Sequence, residues 1–200
     1  MTNPAEGSFD SRSQEDSVFV ARLAARVERL ERELRTSEVI HGLQADLAEA
    51  DSLDTVWDLT LDFLEMMLEI DRGRLSLVKD EYIKPVGARN SSDELETVGY
   101  SLASRVVKTG RTQQFPDPGV GFKTESARSR IHPFVQLAVP IKMRVGVVGV
   151  IHLGRTRGEP FTEDDTKIVE TVSEQVAMAL ERLIISKIGP NRSLSLEDYR

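Results

Sequence analysis

The densest run of apolar residues in the chain extends from Val135 to Leu153. Its second part is rich in Val and Ile, which favours a strand covered on both faces. Gly146 can supply the positive φ of a turn near Arg144, and Gly149 allows another backbone or a ligand to come close. The pattern predicts a buried β-hairpin. Because Pro140 cannot donate to a sheet ladder, a bulge or an unpaired side is expected there.

A different apolar spacing, of alternating three and four residues, marks the segment 17–40. The positions are Val20, Leu23, Val27, Leu30 and Leu34. This spacing predicts a short coiled coil, and Val at a with Leu at d favours two parallel chains. Arg26 at g then faces Glu31 at e of the partner helix. The alternative is a single helix packed on its own domain.

The remaining pattern divides the chain into further elements. After Ser37 the apolar stripe rotates, which indicates a change of packing partner from a second chain to the domain. The predicted elements are a helix from N-cap Ser52 to about Asp71, a hairpin of strands 74–78 and 82–89, a helix at 101–108 stopped by Gly110, a strand at 113–115, and a long helix from Thr162 to about Gly189. Residues 117–134 form a long loop, a length typical of lids or binding segments.

Composition narrows the class of protein. The net charge of −7 argues against a protein that binds nucleic acid nonspecifically. The absence of cysteine excludes disulfides and thiolate chemistry. No signal peptide or membrane span is recognisable, so a cytoplasmic protein is expected. The polar residues 1–16 predict a disordered tail.

Four segments stand in a characteristic order: Ser101–Gly110 with Phe115–Asp117, Leu137–Ile141, Val147–Leu153 and Phe161–Asp165. Together they resemble the GAF domain, a small-molecule sensing and dimerising module found in phosphodiesterases, phytochromes, sensor kinases and bacterial transcription activators. The resemblance implies an α+β fold with a central antiparallel sheet flanked by helices, here preceded by a coiled-coil helix. It also implies that the first and last helices share one face and pair between protomers, while the other face and its loops enclose a ligand pocket. The expected organisation is a tail at 1–16, a coiled-coil helix at 17–40, the GAF-like domain at 41–188 and a tail at 189–200.

The chain departs from several specialised members of that family. Members that bind cyclic nucleotides often carry Asn-Lys and then Phe, three residues, Asp-Glu. Phe161 and Asp165 match, but Thr166 replaces the Glu and no Asn-Lys pair occurs. Members that attach bilin or reduce methionine sulfoxide need a cysteine, which this chain lacks. Neither function is therefore carried over.

Three histidines are candidates for metal or haem ligation. His152 lies in the buried hairpin and is expected to be a hydrogen-bonded core residue, whereas His41 at the break in the coiled coil is expected to be solvated or to set register. His132 lies in the long loop, over the expected pocket. Their spacing matches no zinc motif, and no metal or other cofactor is expected.

The long loop suggests a binding site for a small anion. Arg side chains can hold a carboxylate or phosphate through two hydrogen bonds. We predict that the loop closes over the sheet, with apolar walls from Phe122, Ile131 and Phe134 and an anion-binding set of Arg128, Arg130, His132 and Arg89. A solvated loop without a role is the alternative.

These features favour a non-catalytic cytosolic sensor module over an enzyme, because the sequence contains neither a Gly-rich phosphate loop nor a nucleophile elbow. The expected partners are a second copy of the chain, a small ligand and a signalling protein, without nucleic acid or membrane. The dimer interface is predicted on the coiled-coil seam and on Val176, Leu180 and Leu183 of the last helix. The alternatives are a purely structural scaffold with an empty domain and, less favoured, a regulatory cyclic-nucleotide-binding domain.

Overall fold

The computed structural model describes residues 7–79, 82–89, 96–97, 102–115, 135–155 and 159–188. The chain divides into two compact units, Met1–Gly42 and Leu43–Arg200. The helices are α1 (Gly7–Glu49), α2 (Leu53–Met67), α3 (Leu102–Thr109) and α4 (Glu163–Ile188). The strands are β1 (Arg72–Lys79), β2 (Tyr82–Arg89), β3 (Glu96–Thr97), β4 (Gln113–Phe115), β5 (Val135–Met143) and β6 (Gly146–Arg155).

The described strands form one sheet in the order β3-β2-β1-β6-β5-β4. Every described pairing is antiparallel, which confirms the predicted α+β architecture. The hairpin of β5 and β6 lies within the sheet, with β1 on one side and β4 on the other. Gly146 at its turn has φ of 120°, the left-handed region that favours glycine. Strand β3 is only two residues long and was not predicted.

Pro140 lies in the part of β5 that no longer pairs with β4. Strand β4 pairs with β5 only from Gln136 to Ala138, and the register of β5 on β6 shifts between Ile141 and Lys142. The carbonyl oxygen of Pro140 accepts a hydrogen bond from Ser173 Oγ of α4 at 3.1 Å instead. The expected bulge and unpaired side are both confirmed.

The two faces of the sheet are covered by different helices. A Cβ atom on Gly73 or Gly87 would contact Leu61 or Trp57 respectively, so α2 lies on the face to which these positions point. Helix α4 packs against both α2 and β5. The opposite face is covered by α3, in a cluster formed by Ile83, Ala103, Val106, Ala138 and Val150. Trp57 of α2 is buried on the face to which Gly87 points.

The helix ends follow from local capping. Ser52 accepts a hydrogen bond from the Thr55 amide and starts α2, as predicted. Helix α2 stops at Met67, earlier than the predicted Asp71, because Leu68 is extended. Helix α3 ends where Gly110 adopts φ of 62° and its amide bonds the Val106 carbonyl.

Helix α1 begins earlier than the sequence indicated. It starts at Gly7, so the expectation of a disordered tail fails for residues 7–16, while residues 1–6 lie outside the described part. A helix already formed by the seam can extend one residue at a time at little cost, which overrides the polar composition. Near its other end, Leu43 and Leu47 are buried in the second unit. This agrees with the rotation of the stripe after Ser37.

Close packing at Gly149 gives a direct test of the sheet. A Cβ atom there would lie 2.6 Å from the backbone oxygen of Ser76. We expect Gly149→Ala to destabilise the fold by about 1–3 kcal/mol, the typical cost of overpacking. The matched control is Gly42→Ala, where a Cβ would have no neighbour within 4 Å and should improve helix propensity. Equal urea midpoints for the two variants would contradict the close approach.

Candidate functional site

Polar side chains concentrate on the face of the sheet that α3 covers. Alternation along the strands places Arg74, Ser76, Gln136 and His152 on this face, and Ser104 of α3 is buried as well. Arg74 is only 8% exposed, and both serines are buried. The middle of the other face carries Leu75, Leu137, Ile151 and Leu153, all of them buried, and Arg155 lies at its edge beside the start of α4. In the middle of the described sheet, the polar side chains therefore lie on one side.

Arg74, His152 and Gln136 form a hydrogen-bonded row across three strands. Arg74 lies opposite His152 in the register of β1 on β6, and Gln136 is diagonal to it on β5. Arg74 Nη2 is 3.4 Å from His152 Nδ1, and His152 Nε2 is 3.1 Å from Gln136 Oε1. Because a guanidinium only donates, Nδ1 must accept, so the ring proton is on Nε2 and is donated to Gln136. The prediction that His152 is hydrogen-bonded is confirmed, but its side chain is half-buried rather than a core residue.

Sequence reasoning missed Arg74 and Gln136. Both stand near the start of a strand, and a polar residue at an alternate position is their only local signal. Residues 74 and 152 are 78 positions apart, so their contact depends on the pairing of β1 with β6. Strand pairing of that range cannot be derived from periodicity alone.

The residues predicted to bind an anion fall mostly outside the described part of the chain. Phe122, Arg128, Arg130, Ile131, His132 and Phe134 all belong to the segment 116–134, and their placement is not described. The backbone of Arg89 pairs with Gly73, next to Arg74 along β1. The loop hypothesis therefore stays a prediction.

The two residues shared with cyclic-nucleotide-binding members, Phe161 and Asp165, take part in a structural cluster around Arg155. The Arg155 guanidinium lies 4.1 Å from the centroid of the Phe161 ring. Its Nη2 donates to Asp165 Oδ2 at 3.2 Å, and its Nε donates to the Glu69 carbonyl at 3.0 Å. Packing and hydrogen bonding within the domain thus account for both residues without a nucleotide.

Asp165 also completes the start of α4. Its Oδ2 accepts from the Thr162 amide, and its own amide donates to Thr162 Oγ1, each at 3.0 Å. This reciprocal pair is a capping box with Asp in place of the usual Glu or Gln. The prediction that Thr162 caps the last helix is confirmed, and one carboxylate serves both the cap and Arg155.

The residues predicted to form the dimer interface fall into two groups. On α1, Val20, Leu23, Val27, Leu30 and Leu34 are 47% to 64% exposed in the single chain. On α4, Val176, Leu180 and Leu183 are buried within the domain, at 4% exposure or less. These three pack inside their own chain, because α4 lies against β5 and α2. The predicted role of this stripe in the interface is corrected on that point, whereas the seam of α1 is exposed in the single chain.

The described residues provide no metal centre and no membrane span. They contain no group of three or more His, Cys, Asp or Glu that could hold an ion. None of the described helices has the length and apolarity that crossing a bilayer requires. His41 is exposed on α1, and its Nδ1 donates to the Ser37 carbonyl at 2.7 Å.

The sheet, the helices on its two faces and the polar face together define a sensor-type α+β domain. A GAF domain family model matches residues 50–181, which is more than half of the chain. The chain belongs to the GAF domain family. No curated protein sequence matches it.

Solved structures support the same fold at low sequence identity. The GAF domain of a phosphoenolpyruvate-protein phosphotransferase from Coxiella burnetii is 13% identical with a TM-score of 0.64, over 77% of this chain and 97% of that one. The GAF domain of a two-component sensor histidine kinase from Bacillus halodurans is 20% identical with a TM-score of 0.55, over 69% and 99%. Free methionine-R-sulfoxide reductase from Neisseria meningitidis, solved with its substrate, is 14% identical with a TM-score of 0.64, over 76% and 91%. The last example shows that the fold also supports enzymes.

Proposed function

We propose that this protein is a non-catalytic cytosolic sensor module that dimerises through α1 and binds a small anionic ligand at the polar face of its sheet. Ligand occupancy would alter the helices and, through them, a signalling partner. The observation that carries the proposal is the asymmetry of the sheet. The middle of one face is hydrocarbon, and its one described arginine, Arg155, lies at the edge beside the start of α4. The other face carries a buried arginine in a row with a histidine and a glutamine, and two serines are also buried on that side.

The chemistry of that face favours an anion. Arg74 is nine-tenths buried, and a hydrogen bond from a charged donor is stronger in such a setting than in water. A carboxylate or phosphate is the group that the planar fork of arginine matches best. His152 and Gln136 extend the row with further polar atoms, and the serine hydroxyls can donate or accept. A small acid or phosphate ester suits this set better than an apolar ligand.

The case for a dimer rests on α1. Five apolar side chains at a and d spacing are each about half exposed or more in the single chain. A continuous exposed apolar stripe of this kind is typical of a surface that binds another protein chain. A second copy in parallel orientation would bury this stripe and bring Arg26 of one helix toward Glu31 of the other. Both members of this pair also lie in the described part of α1.

The absence of cysteine from the full sequence supports the non-catalytic assignment, because the resemblance links the reductase members to that residue. The engagement of Phe161 and Asp165 by Arg155 makes a cyclic-nucleotide site the less favoured candidate. A scaffold with an empty domain remains the second candidate, and it differs from the sensor only in whether a ligand binds.

Ligand binding separates the two candidates. We would first identify small molecules that co-purify with the protein by mass spectrometry. Thermal shift would then test inorganic phosphate, succinate, cyclic AMP and cyclic GMP. A ligand at 100 times its Kd should stabilise the fold by about 2.7 kcal/mol. Stabilisation by an anionic compound supports the sensor, whereas failure of the co-purifying and panel compounds to bind favours the scaffold.

Arg74 is the residue to change once a binding anion is in hand. We expect Arg74→Gln to weaken its binding more than tenfold, or about 1.4 kcal/mol, because the paired hydrogen bonds and the charge are both lost. Arg74→Lys keeps the charge without the fork and should fall between. The matched control is Arg144→Gln in the exposed β5–β6 turn, which should leave affinity unchanged. Emission of Trp57, the only tryptophan, confirms that each variant is folded.

The long loop can be tested with the same assay. If it closes over the polar face, Arg128→Ala combined with Arg130→Ala should also weaken binding more than tenfold without changing dimerisation. Unchanged affinity in that double variant would restrict anion recognition to the strands.

A further inference from the structure

The carboxyl end of α1 is held by a residue of α4. Arg182 Nη2 donates to the carbonyl oxygen of Leu47 at 3.2 Å and also to that of Ala50. These contacts lie 135 and 132 positions apart in sequence. They join the end of the helix that carries the exposed seam to the helix that packs on the sheet.

The end of α1 needs such a partner because its own sequence does not provide one. The last carbonyls of a helix have no intrahelical donor, and the partial negative charge there favours cations. The last turn of α1 contains no basic residue, and Asp46, Glu49 and Asp51 add negative charge around it. Arg182 supplies from outside both the donor and the positive charge that this terminus lacks.

The setting of Arg182 differs from that of Arg155. Arg155 is 9% exposed and sits beneath the start of α4, so water competes little for its hydrogen bonds. Arg182 belongs to the exposed surface of α4, where water can replace its contacts. Leu43, Leu47 and Ala50 are also buried, so apolar packing holds the helix end as well. The hydrogen bonds of Arg182 can thus break while the end of α1 stays packed on the domain.

We propose that Arg182 is a releasable latch that fixes the last turn of α1 against α4. When it is engaged, the two helices hold a set register at this point. When it is released, the last turn of α1 frays while the buried leucines keep the helix docked. The last turn of α1 therefore has two states, one hydrogen-bonded to Arg182 and one frayed. Its meaning for signalling rests on the proposed sensor function, but its existence does not.

Hydrogen exchange in the full chain tests the latch. We expect Arg182→Ala to accelerate exchange of the Glu49 and Ala50 amides about tenfold, the effect of losing a hydrogen bond to a charged donor. Amides of β5 and β6 should keep their rates. Arg182→Lys should give an intermediate rate, because one ammonium replaces the fork. Glu174→Ala, an exposed change on the same helix, should have no effect.

A spin label gives a second readout. Because the chain contains no cysteine, Glu49→Cys creates a single labelling site at the exposed end of α1. The label should become more mobile when Arg182 is changed to Ala. Unchanged exchange at Glu49 and Ala50, or acceleration spread equally over β5 and β6, would overturn the latch. Neither readout depends on dimerisation or ligand binding, so a failed latch and a failed sensor hypothesis remain distinguishable.

Discussion

Changing Leu23 and Leu30 to Asp should convert the proposed dimer into monomers at micromolar concentration. Burial of a leucine side chain contributes about 1.5–3 kcal/mol, and the double change removes four such side chains from a parallel dimer. Because each leucine is already about half buried in the single chain, the loss is about 3–6 kcal/mol, or roughly a 10²- to 10⁴-fold weaker association. Sedimentation velocity and equilibrium measure it directly. Because the two leucines are about half exposed in the single chain, folding of the domain should be unaffected.

The control variant must show that weaker association comes from loss of the apolar seam and not from the lower helix propensity of Asp. Ala21→Asp with Ala25→Asp introduces the same two carboxylates on the same exposed stretch of α1, but at b and f positions away from the partner. This variant should remain dimeric. A wild-type chain that sediments as a monomer, or two variants that dissociate equally, would show that the seam does not hold a second copy.

Arg155→Met should destabilise the folded domain by about 3–5 kcal/mol, the range for breaking a buried ion pair by removing one partner. The ion pair of Arg155 Nη2 with Asp165 Oδ2 has side chains 11% and 21% exposed. The change leaves the Asp165 carboxylate without its cation and removes donors from the carbonyls of Glu69 and Glu159. Urea unfolding followed by Trp57 emission would measure the loss.

Two comparisons give that result its meaning. Arg35→Met removes a pair whose side chains are 71% and 61% exposed, and such surface pairs contribute less than about 1 kcal/mol. The double change Arg155→Met with Asp165→Asn should cost less than the sum of the single changes, because the two residues act on one interaction. Strict additivity would contradict direct coupling between Arg155 and the start of α4.

The elements of this fold were largely predictable because their signals are local. The bounds of β2 and β4 agree with the sequence prediction, and α3 differs only at its ends. The caps at Ser52 and Thr162 and the turn at Gly146 follow from a few neighbouring residues. Hydrophobic period, capping and positive φ each depend on short segments of chain. The start of α1 departed from prediction because helix propagation overrode a polar composition.

The sequence also predicted apolar stripes without identifying what covers them. The seam of α1 and the stripe of α4 both show helical spacing, and both were assigned to a partner chain. In the folded chain the first stays exposed, while Val176, Leu180 and Leu183 are buried against the rest of the domain. An amphipathic pattern predicts that one face of a helix is buried. Only the packing of the other elements decides whether the same chain or a partner chain covers that face.

The sequence by itself determined the family, the elements and the absence of cysteine chemistry. Tertiary structure decided which polar residues meet. Arg74 contacts His152 on the neighbouring strand. Arg155 donates to Glu69, just after α2, and to Asp165 in the first turn of α4. Arg182 donates to Leu47 of α1. Each contact joins groups whose sequence separation carries no periodic signal. Their proximity results from strand register and helix packing, which sum many weak interactions over the whole domain.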